Sequence, residues 1–539
     1  MKKGIHLAIA FLLILGIAFR FYHLDRKVYW LDETFTALRV SGYSARELVE
    51  ELPQEKIIAM GDVQRYYHPS SDRNFSDVSK ALASHAEHAP FYFVMVRFWR
   101  EWFGSSVAAT RSLSAVISLL SFPCMYWLCR ELFSSSLAAG LGMALLAISP
   151  FQVLYAQEAR QYSLLTVAIL FSSAALLRAI RFSQRSHFTS LNLSKLKLSN
   201  LYNWGLYALS VSFGLYTHLL FGLVIFAHAT YSIALERVRW TRMLRAYGDA
   251  SMVGVLGFAP WIIVILLNPS GVQNSAAWQN EFQRPNLTFY LKSWLGNIAR
   301  QFVDFGLSSD SGSLALKLFI PILLSCVGLV LYSLYFAYKT SDRKTFLFLI
   351  TLTVIPWLIL AIPDLILGST RSNIQRYIIP TFVGMQLSVT YLFATQVGSK
   401  KKATSRLWTA LLGLVLVLGI ISSGLSAQAQ VWWNKRADAH SLEVKAILES
   451  SQQPLLIAKA HPGMRLGVLS YQLDPNIPVW IVGDRFSNIP DEDRTIFIYD
   501  PSPDLHSQLQ NTYGSNLKPV ILEKSPFTGL NWLWKIEDS

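Results

Sequence analysis

The chain has 539 residues, of which 52% are hydrophobic and only 15% are charged, and its mean hydropathy is +0.33. Many apolar runs approach 20 residues, the length that crosses a bilayer, which excludes an ordinary soluble domain. The net charge of +14 is unevenly placed: residues 426–539 hold 10 basic and 13 acidic side chains, and the rest of the chain holds 38 and 21. This pattern indicates membrane orientation and anionic-lipid contact, not a nucleic-acid interface.

The first apolar run, residues 5–22, has no small-residue cleavage site after it, so we expect a retained membrane anchor. Tyr29 and Trp30 are typical of the headgroup region. Asp32 and Glu33 follow at once. A carboxylate in hydrocarbon costs roughly 2.5–3.5 kcal/mol, so this pair must lie at the water boundary or in a polar cavity. It is either a solvated loop pair or part of a working site.

The sequence predicts an α-helical polytopic membrane protein with about eleven transmembrane helices. The predicted spans are residues 5–22, 107–128, 135–150, 160–180, 201–217, 219–235, 248–267, 313–337, 345–363, 377–396 and 407–425. Lys and Arg concentrate in alternate short loops, which by the positive-inside rule puts the N-terminus in the cytoplasm and the C-terminus outside. We expect a bacterial inner membrane as the location.

The long segments all fall on the predicted outer face, which is where we expect the chemistry. Residues 23–106 form a first loop in which helices are expected, including an amphipathic one at 89–103 that lies on or leads into the membrane. Residues 1–425 are assigned to a transmembrane domain and residues 426–539 to a small α/β domain. Its predicted strands are 455–460, 479–482, 495–499, 520–523 and 532–536, with helices at 438–450 and 505–513.

Charged side chains also mark the outer ends of later spans. Glu158 and Arg160 follow the third span, and they either pair with each other or place a second carboxylate and a cation in a site. His218 ends the fifth span, as an interface residue or a site residue. Arg371 and Arg376 flank the tenth span, where they anchor to lipid headgroups or clamp a phosphate.

Together these residues resemble the polytopic glycosyltransferases of the C superfamily, above all family 39 with the protein O-mannosyltransferases and the aminoarabinose transferases. The matching motifs are Tyr29-Trp30-Leu31-Asp32-Glu33, His88-Ala89-Pro90-Phe91-Tyr92, Gly104, Arg111-Ser112-Leu113-Ser114, Ser149-Pro150-Phe151, Gln157-Glu158-Ala159-Arg160-Gln161-Tyr162-Ser163, Tyr216-Thr217-His218, and Arg376-Tyr377 with Pro380. They occur in the expected order over roughly residues 1–400. Residues 426–539, which we call the tail, lie outside the resemblance.

The resemblance implies transfer of a sugar from a polyprenyl-phosphate donor to an acceptor hydroxyl of a glycan, lipid or protein, with inversion. Asp32 would act as general base, and Glu158 would position the acceptor or share a divalent metal cation with Asp32. Glu33 and His88 would support the acceptor or the loop. The donor phosphate would be bound by Arg160, Tyr162, His218, Arg371 and Arg376.

Two functions of other classes remain open from the sequence. A secondary transporter or a flippase for lipid-linked sugars would also be polytopic, but such proteins carry charges at span midpoints and internal repeats, which are not found here. A membrane scaffold whose tail binds a partner is the second, and the acids and arginines on one face argue against it.

Overall fold

The structure, a computed structural model, describes residues 2–185, 193–269, 285–307, 311–459, 465–483, 494–526 and 528–537. The chain folds into two compact units. The first, which we call the helical unit, comprises Met1–Leu24, His85–Tyr92 and Arg111–Gln428. The second, the sheet unit, comprises Asp25–Ser84, Phe93–Thr110 and Ala429–Ser539. Most of the first loop, which the sequence analysis assigned to the transmembrane domain, thus belongs to the same compact unit as the tail.

Each predicted span falls on helical structure, and the spans 107–128 and 248–267 each fall on two consecutive helices. The helices from the first span to the last are Lys2–Phe21, Val107–Leu119, Ser121–Phe133, Ser136–Ile148, Pro150–Ala156, Tyr162–Arg185, Leu193–Thr217, Gly222–Leu235, Arg242–Gly257, Ala259–Leu267, Leu287–Ala299, Ser313–Thr340, Arg343–Leu367, Ile379–Val397 and Lys402–Gln428. Among the described residues, six helices are long and apolar enough to cross a membrane, or up to eight if each of two bent pairs is one span. The number eleven stays a prediction.

The two bent pairs have a proline at the start of their second helix. Ser136–Ile148 meets Pro150–Ala156 at 60°, and Arg242–Gly257 meets Ala259–Leu267 at 52°. Proline is tolerated in the first turn of a helix, but it has no backbone N–H to donate to the turn before it. Pro150 and Pro260 therefore fix where each bend occurs. The first bend directs the chain into the motif that contains Glu158.

The first helix packs tightly against the helix that precedes this bend. A Cβ atom on Gly16 would lie 2.5 Å from the Ala147 carbonyl oxygen, so only glycine allows this approach. Arg20, which is 1% exposed, donates to the carbonyl oxygens of Leu146 at 3.1 Å and Ala147 at 2.5 Å. These are carbonyls at the end of Ser136–Ile148 that have no intrahelical partner. Arg20 therefore caps the helix where it bends.

The sheet unit contains a six-stranded mixed sheet. Its strands are β1 Ile57–Ala59, β2 Pro454–Lys459, β3 Pro478–Val482, β4 Thr495–Tyr499, β5 Leu517–Lys524 and β6 Asn531–Ile536, in the spatial order β1-β3-β2-β4-β6-β5. β2 is parallel to both β3 and β4, and the remaining pairs are antiparallel. The five predicted tail strands are present, as are the two predicted helices, at His440–Ser450 and Pro503–Tyr513.

The edge strand β1 comes from the first loop, not from the tail. It pairs antiparallel with β3, so that Ile57 faces Trp480 across the two strands. The first loop also contributes the helices Leu31–Val40, Ala45–Glu51, Met60–Gln64 and Phe75–Ala83, and the amphipathic helix lies at Phe91–Phe103. Helices were expected in this loop, but a strand was not. Three residues carry too little periodicity to be recognised without their partner strand.

Candidate functional site

Asp32 lies in the first turn of Leu31–Val40, within the sheet unit. Its side chain is half-buried, whereas that of the neighbouring Glu33 is not exposed at all. Glu33 Oε2 accepts from Lys435 Nζ at 2.8 Å, and Lys435 is equally inaccessible. A buried charge needs a partner of opposite sign close by. Glu33 is therefore held by the tail, and Asp32 is the carboxylate of the pair that reaches the surface.

The N-terminus of the same helix also contacts the tail. Its N-cap residue, Trp30, has no side chain that can accept from the first backbone amides. Asp438 Oδ2 accepts from the Leu31 amide at 3.0 Å instead, and Asp438 Oδ1 pairs with Arg465. We call Lys435, Asp438 and Arg465 the helix clamp. Burial lowers the pKa of the Arg465 guanidinium, and the nearby groups Tyr499, Asp500 and Asp32 oppose that shift.

In the helical unit, the motif with Glu158 is a tight turn between Pro150–Ala156 and Tyr162–Arg185. Gln157 anchors it by donating to the carbonyl oxygens of Phe19 at 2.7 Å and Tyr22 at 2.9 Å. The Arg160 amide donates to the Glu158 carbonyl at 2.7 Å. Glu158 is 0% exposed and Arg160 is 4% exposed. The turn therefore buries a carboxylate and a guanidinium two residues apart.

Aromatic side chains surround this turn. The Tyr162 ring lies 5.1 Å from the ring of Tyr155, 5.9 Å from Arg160 Cζ and 6.3 Å from the His218 ring, measured to its centroid. Glu158, Arg300 and Arg376 are within electrostatic range of the Tyr155 hydroxyl. The structure thus brings the Glu158 motif, with Arg160 and Tyr162, close to His218 and Arg376, which lie far from it in sequence.

His218 is a neutral ring in this setting. It lies in the turn after Leu193–Thr217, and burial followed by the charges of Arg160 and Arg376 lowers its pKa to about 3. Its Nδ1 accepts from the Leu220 amide at 3.1 Å, so the ring proton is on Nε2. His218 can therefore donate one hydrogen bond to an anion, but it adds no positive charge.

Arg371 and Arg376 lie on two 3-10 turns, Arg371–Asn373 and Gln375–Tyr377. The helix Leu287–Ala299 holds both turns. Asn297 donates to the Asn373 carbonyl at 2.9 Å and accepts from Gln375 Nε2 at 2.8 Å, and Trp294 Nε1 donates to Ser372 Oγ at 3.0 Å. Arg376 is near His218 and Tyr155, close enough for its charge to act on both side chains. The assignment of Arg371 to the donor phosphate stays a prediction.

Arg300 belongs to this site, although the sequence analysis did not select it. It follows Leu287–Ala299 directly, is half-buried, and donates to Asn297 Oδ1 at 3.2 Å. Burial lowers its pKa, and nearby Asp304 opposes the shift. We call Arg160, Arg300 and Arg376, with Glu158 and Asp304, the basic cluster. Arg300 lies between the seventh and eighth predicted spans, on the predicted outer face, but no motif around it distinguishes it there.

The remaining expected site features are less well supported by geometry. His88 lies in the helical unit, with its Nε2 3.9 Å from Glu87 Oε1. Among the described residues, no three His, Cys, Asp or Glu side chains converge in the way that a metal site needs. A cation shared by Asp32 and Glu158 stays a prediction, since these two residues belong to different units.

Solved structures with a similar fold cover the whole chain. ArnT from Cupriavidus metallidurans in the apo state superposes with a TM-score of 0.56 at 13% sequence identity, over 99% of this chain and 98% of that one. ArnT from the same organism bound to undecaprenyl phosphate gives 0.50 at 15% identity, over 100% and 99%. No family profile and no curated protein sequence matches. The prediction from the motifs is confirmed at the level of fold: this integral membrane protein has the fold of the two ArnT structures.

Proposed function

We propose that the protein is a membrane glycosyltransferase that moves a sugar from a polyprenyl-phosphate donor to an acceptor hydroxyl on the extracytoplasmic face. The observation that carries this proposal is the charge of the basic cluster. Arg160, Arg300 and Arg376 gather around the turn that holds Glu158; Arg160 is buried, and Arg300 and Arg376 are half-buried. Several guanidinium groups at one partly water-accessible place favour an anionic ligand that can accept charge-assisted hydrogen bonds from them. A phosphate with a lipid tail fits such a cluster in a helical membrane unit.

The chemistry assigned to each residue follows from its charge and its surroundings. Arg160 and Arg376 neutralise the phosphate that departs with the lipid as the glycosidic bond breaks. Neutral His218 donates one hydrogen bond from Nε2. Asp32, as the accessible carboxylate of its pair, takes the proton of the acceptor hydroxyl while the oxygen attacks the anomeric carbon. One displacement of this kind inverts the anomeric centre.

Fold similarity adds support for the class of donor. One of the two similar ArnT structures holds undecaprenyl phosphate, a polyprenyl phosphate. An outer-face transferase needs a donor that has already crossed the membrane, because nucleotide sugars are cytoplasmic. We therefore assign the same class of lipid to this chain, with the N-terminus in the cytoplasm and the tail outside.

A deletion strain of the source organism tests the function directly. Mass spectrometry of its lipids and envelope glycans should show a lipid-linked sugar that accumulates and a glycoconjugate that has lost one sugar. Wild-type chain supplied in trans should reverse both changes. The purified protein with lipid extract of the deletion strain should release polyprenyl phosphate and give a product whose anomeric configuration, read by NMR, is opposite to that of the donor. An unchanged glycolipid and glycan profile in the deletion strain would refute the proposal.

A further inference from the structure

The helix Leu31–Val40 has only ten residues and begins without a cap of its own. Helices of this length are marginal in water, because nucleation is costly and the first four amides have no intrahelical acceptor. Trp30 offers no acceptor at the N-cap, so the Leu31 amide donates to Asp438, a residue 407 positions further along the chain. An anion at this end also complements the helix dipole. The start of the helix thus depends on the tail.

The segment that leads into the helix is held by the same stretch of tail. The Val28 amide donates to the Gln430 carbonyl at 2.9 Å, and the Val28 carbonyl accepts from Lys435 Nζ at 3.3 Å. Lys435 also pairs with Glu33, one residue beyond Asp32. The tail therefore contacts Val28, Leu31 and Glu33, on both sides of Asp32.

The far end of the helix is held by arginines of Phe91–Phe103. Arg97 donates to the Val40 carbonyl at 3.1 Å and Arg100 to the Ala37 carbonyl at 3.3 Å. Both arginines are buried, so their guanidinium groups face this helix. Charged side chains thus hydrogen-bond to the backbone at both ends of Leu31–Val40, and these contacts restrict the position of the helix.

We propose that Asp438, supported by Arg465, is a positioning residue for Asp32. Asp438 fixes the first turn of the helix, and thereby the direction in which the Asp32 carboxylate points. This inference rests on the proposed function, since it assigns Asp438 to the geometry of the general base. It also gives residues 426–539 a role in the reaction. A tail that only oriented the acceptor would be dispensable for hydrolysis of the donor by water, whereas a tail that positions the base is needed for both reactions.

The test uses the full-length protein in detergent with Asp438→Ala and the double variant Asp438→Ala/Arg465→Met. The single variant leaves Arg465 buried without its carboxylate, so some loss of stability is expected. The double variant removes both charges and should recover the thermal midpoint. Neither variant supplies an acceptor to the Leu31 amide. The matched control is Glu537→Gln, which breaks the exposed pair of Lys518 and Glu537 in the same unit.

We expect kcat to fall about 100-fold in both Asp438 variants, because a displacement of about 1 Å costs that much, while KM for the lipid donor stays unchanged. Hydrolysis of the donor should fall together with transfer. Hydrogen–deuterium exchange should accelerate in peptides that contain Leu31–Val40 and stay unchanged in strand β2. Asp438→Glu, which retains an acceptor, should recover part of the rate, and Glu537→Gln should match the wild type.

A double variant that recovers both stability and full kcat would overturn the inference, as would unchanged exchange at Leu31–Val40 in Asp438→Ala. Failure of the proposed function is recognised separately. In that case Asp32→Asn would keep full activity, or no sugar transfer would be found in the wild type, whereas the exchange measurement would still report whether Asp438 holds the helix.

Discussion

Near Asp32 each of two buried carboxylates pairs with one cation, whereas near Glu158 the arginines outnumber the carboxylates among the residues that the structure describes. In the sheet unit, the buried carboxylates of Glu33 and Asp438 each face one cation of the helix clamp. In the helical unit, the basic cluster has three arginines for two carboxylates. A buried one-to-one ion pair satisfies both charges and holds the backbone segments that carry them. Under the proposed function, the half-buried Arg300 and Arg376 are the cations that remain accessible to an anionic ligand.

The largest effect should come from Asp32, the half-buried carboxylate next to the buried Glu33 in the sheet unit. Asp32→Asn should lower kcat by roughly 10²–10⁴-fold, as loss of a general base does, while donor binding and membrane insertion persist. Turnover of purified protein measures this. The matched control is Asp72→Asn, an exposed aspartate of the same unit that should be silent. Near-normal turnover of the Asp32→Asn variant would remove Asp32 from the mechanism.

Breaking a balanced pair should cost stability. Lys435→Met leaves Glu33 buried without its cation, for which we expect a loss of about 3–5 kcal/mol. The double change Glu33→Leu/Lys435→Met should recover most of the thermal midpoint, because neither charge remains. As a surface control, Lys518→Met should cost less than ~1 kcal/mol. If the single and double variants unfold at the same temperature, the ion pair between Glu33 and Lys435 does not stabilise the sheet unit.

Removing a cation from the unbalanced cluster should affect the ligand more than the fold. Arg376→Ala should weaken the binding of undecaprenyl phosphate by about 10–100-fold, since a charge-assisted contact contributes roughly 1.5–3 kcal/mol. Titration in detergent, monitored by native mass spectrometry, gives the affinity. Arg242→Ala, at an exposed arginine of the same unit, serves as control. Unchanged affinity in Arg376→Ala would mean that this residue does not contact the phosphate.

The smallest effect concerns acid sensitivity of the sheet unit. His440 stacks on Trp532 at 3.6 Å between ring centroids, and burial lowers its pKa to about 3. The unfolded chain, with a histidine pKa near ~6.5, binds a proton that the folded chain does not, so stability is lost as the pH falls below about 6.5. The loss at pH 5 is about 2 kcal/mol. His440→Phe should shrink the difference between the thermal midpoints at pH 7 and pH 5. An equal difference in both proteins would contradict this.

Local patterns predicted much of the fold because they report on single elements. Apolar run length located helical sequence at each expected span, and short runs rich in β-branched and aromatic residues between turn residues located the five tail strands. The site was harder. Asp32, Glu158, Arg160 and Arg376 were selected from their positions at span ends, but Arg300 and the helix clamp were not, since nothing in their own neighbourhood distinguishes them. Pairing between β1 and β3, some 420 residues apart, leaves no trace in either segment by itself.

The sequence by itself determined that this chain is a polytopic membrane protein with acids and arginines at the ends of its spans. Hydrophobic run length and charge are additive along a chain, so they can be read without coordinates. Only the tertiary structure decided which of those charges are balanced. Lys435 and Asp438 are more than 400 residues from the helix that they hold, and burial turns His218 neutral beside two arginines distant in sequence. The interaction energy of a charged side chain depends on its distance to every other charge and on how far water is excluded. Both are set only by folding.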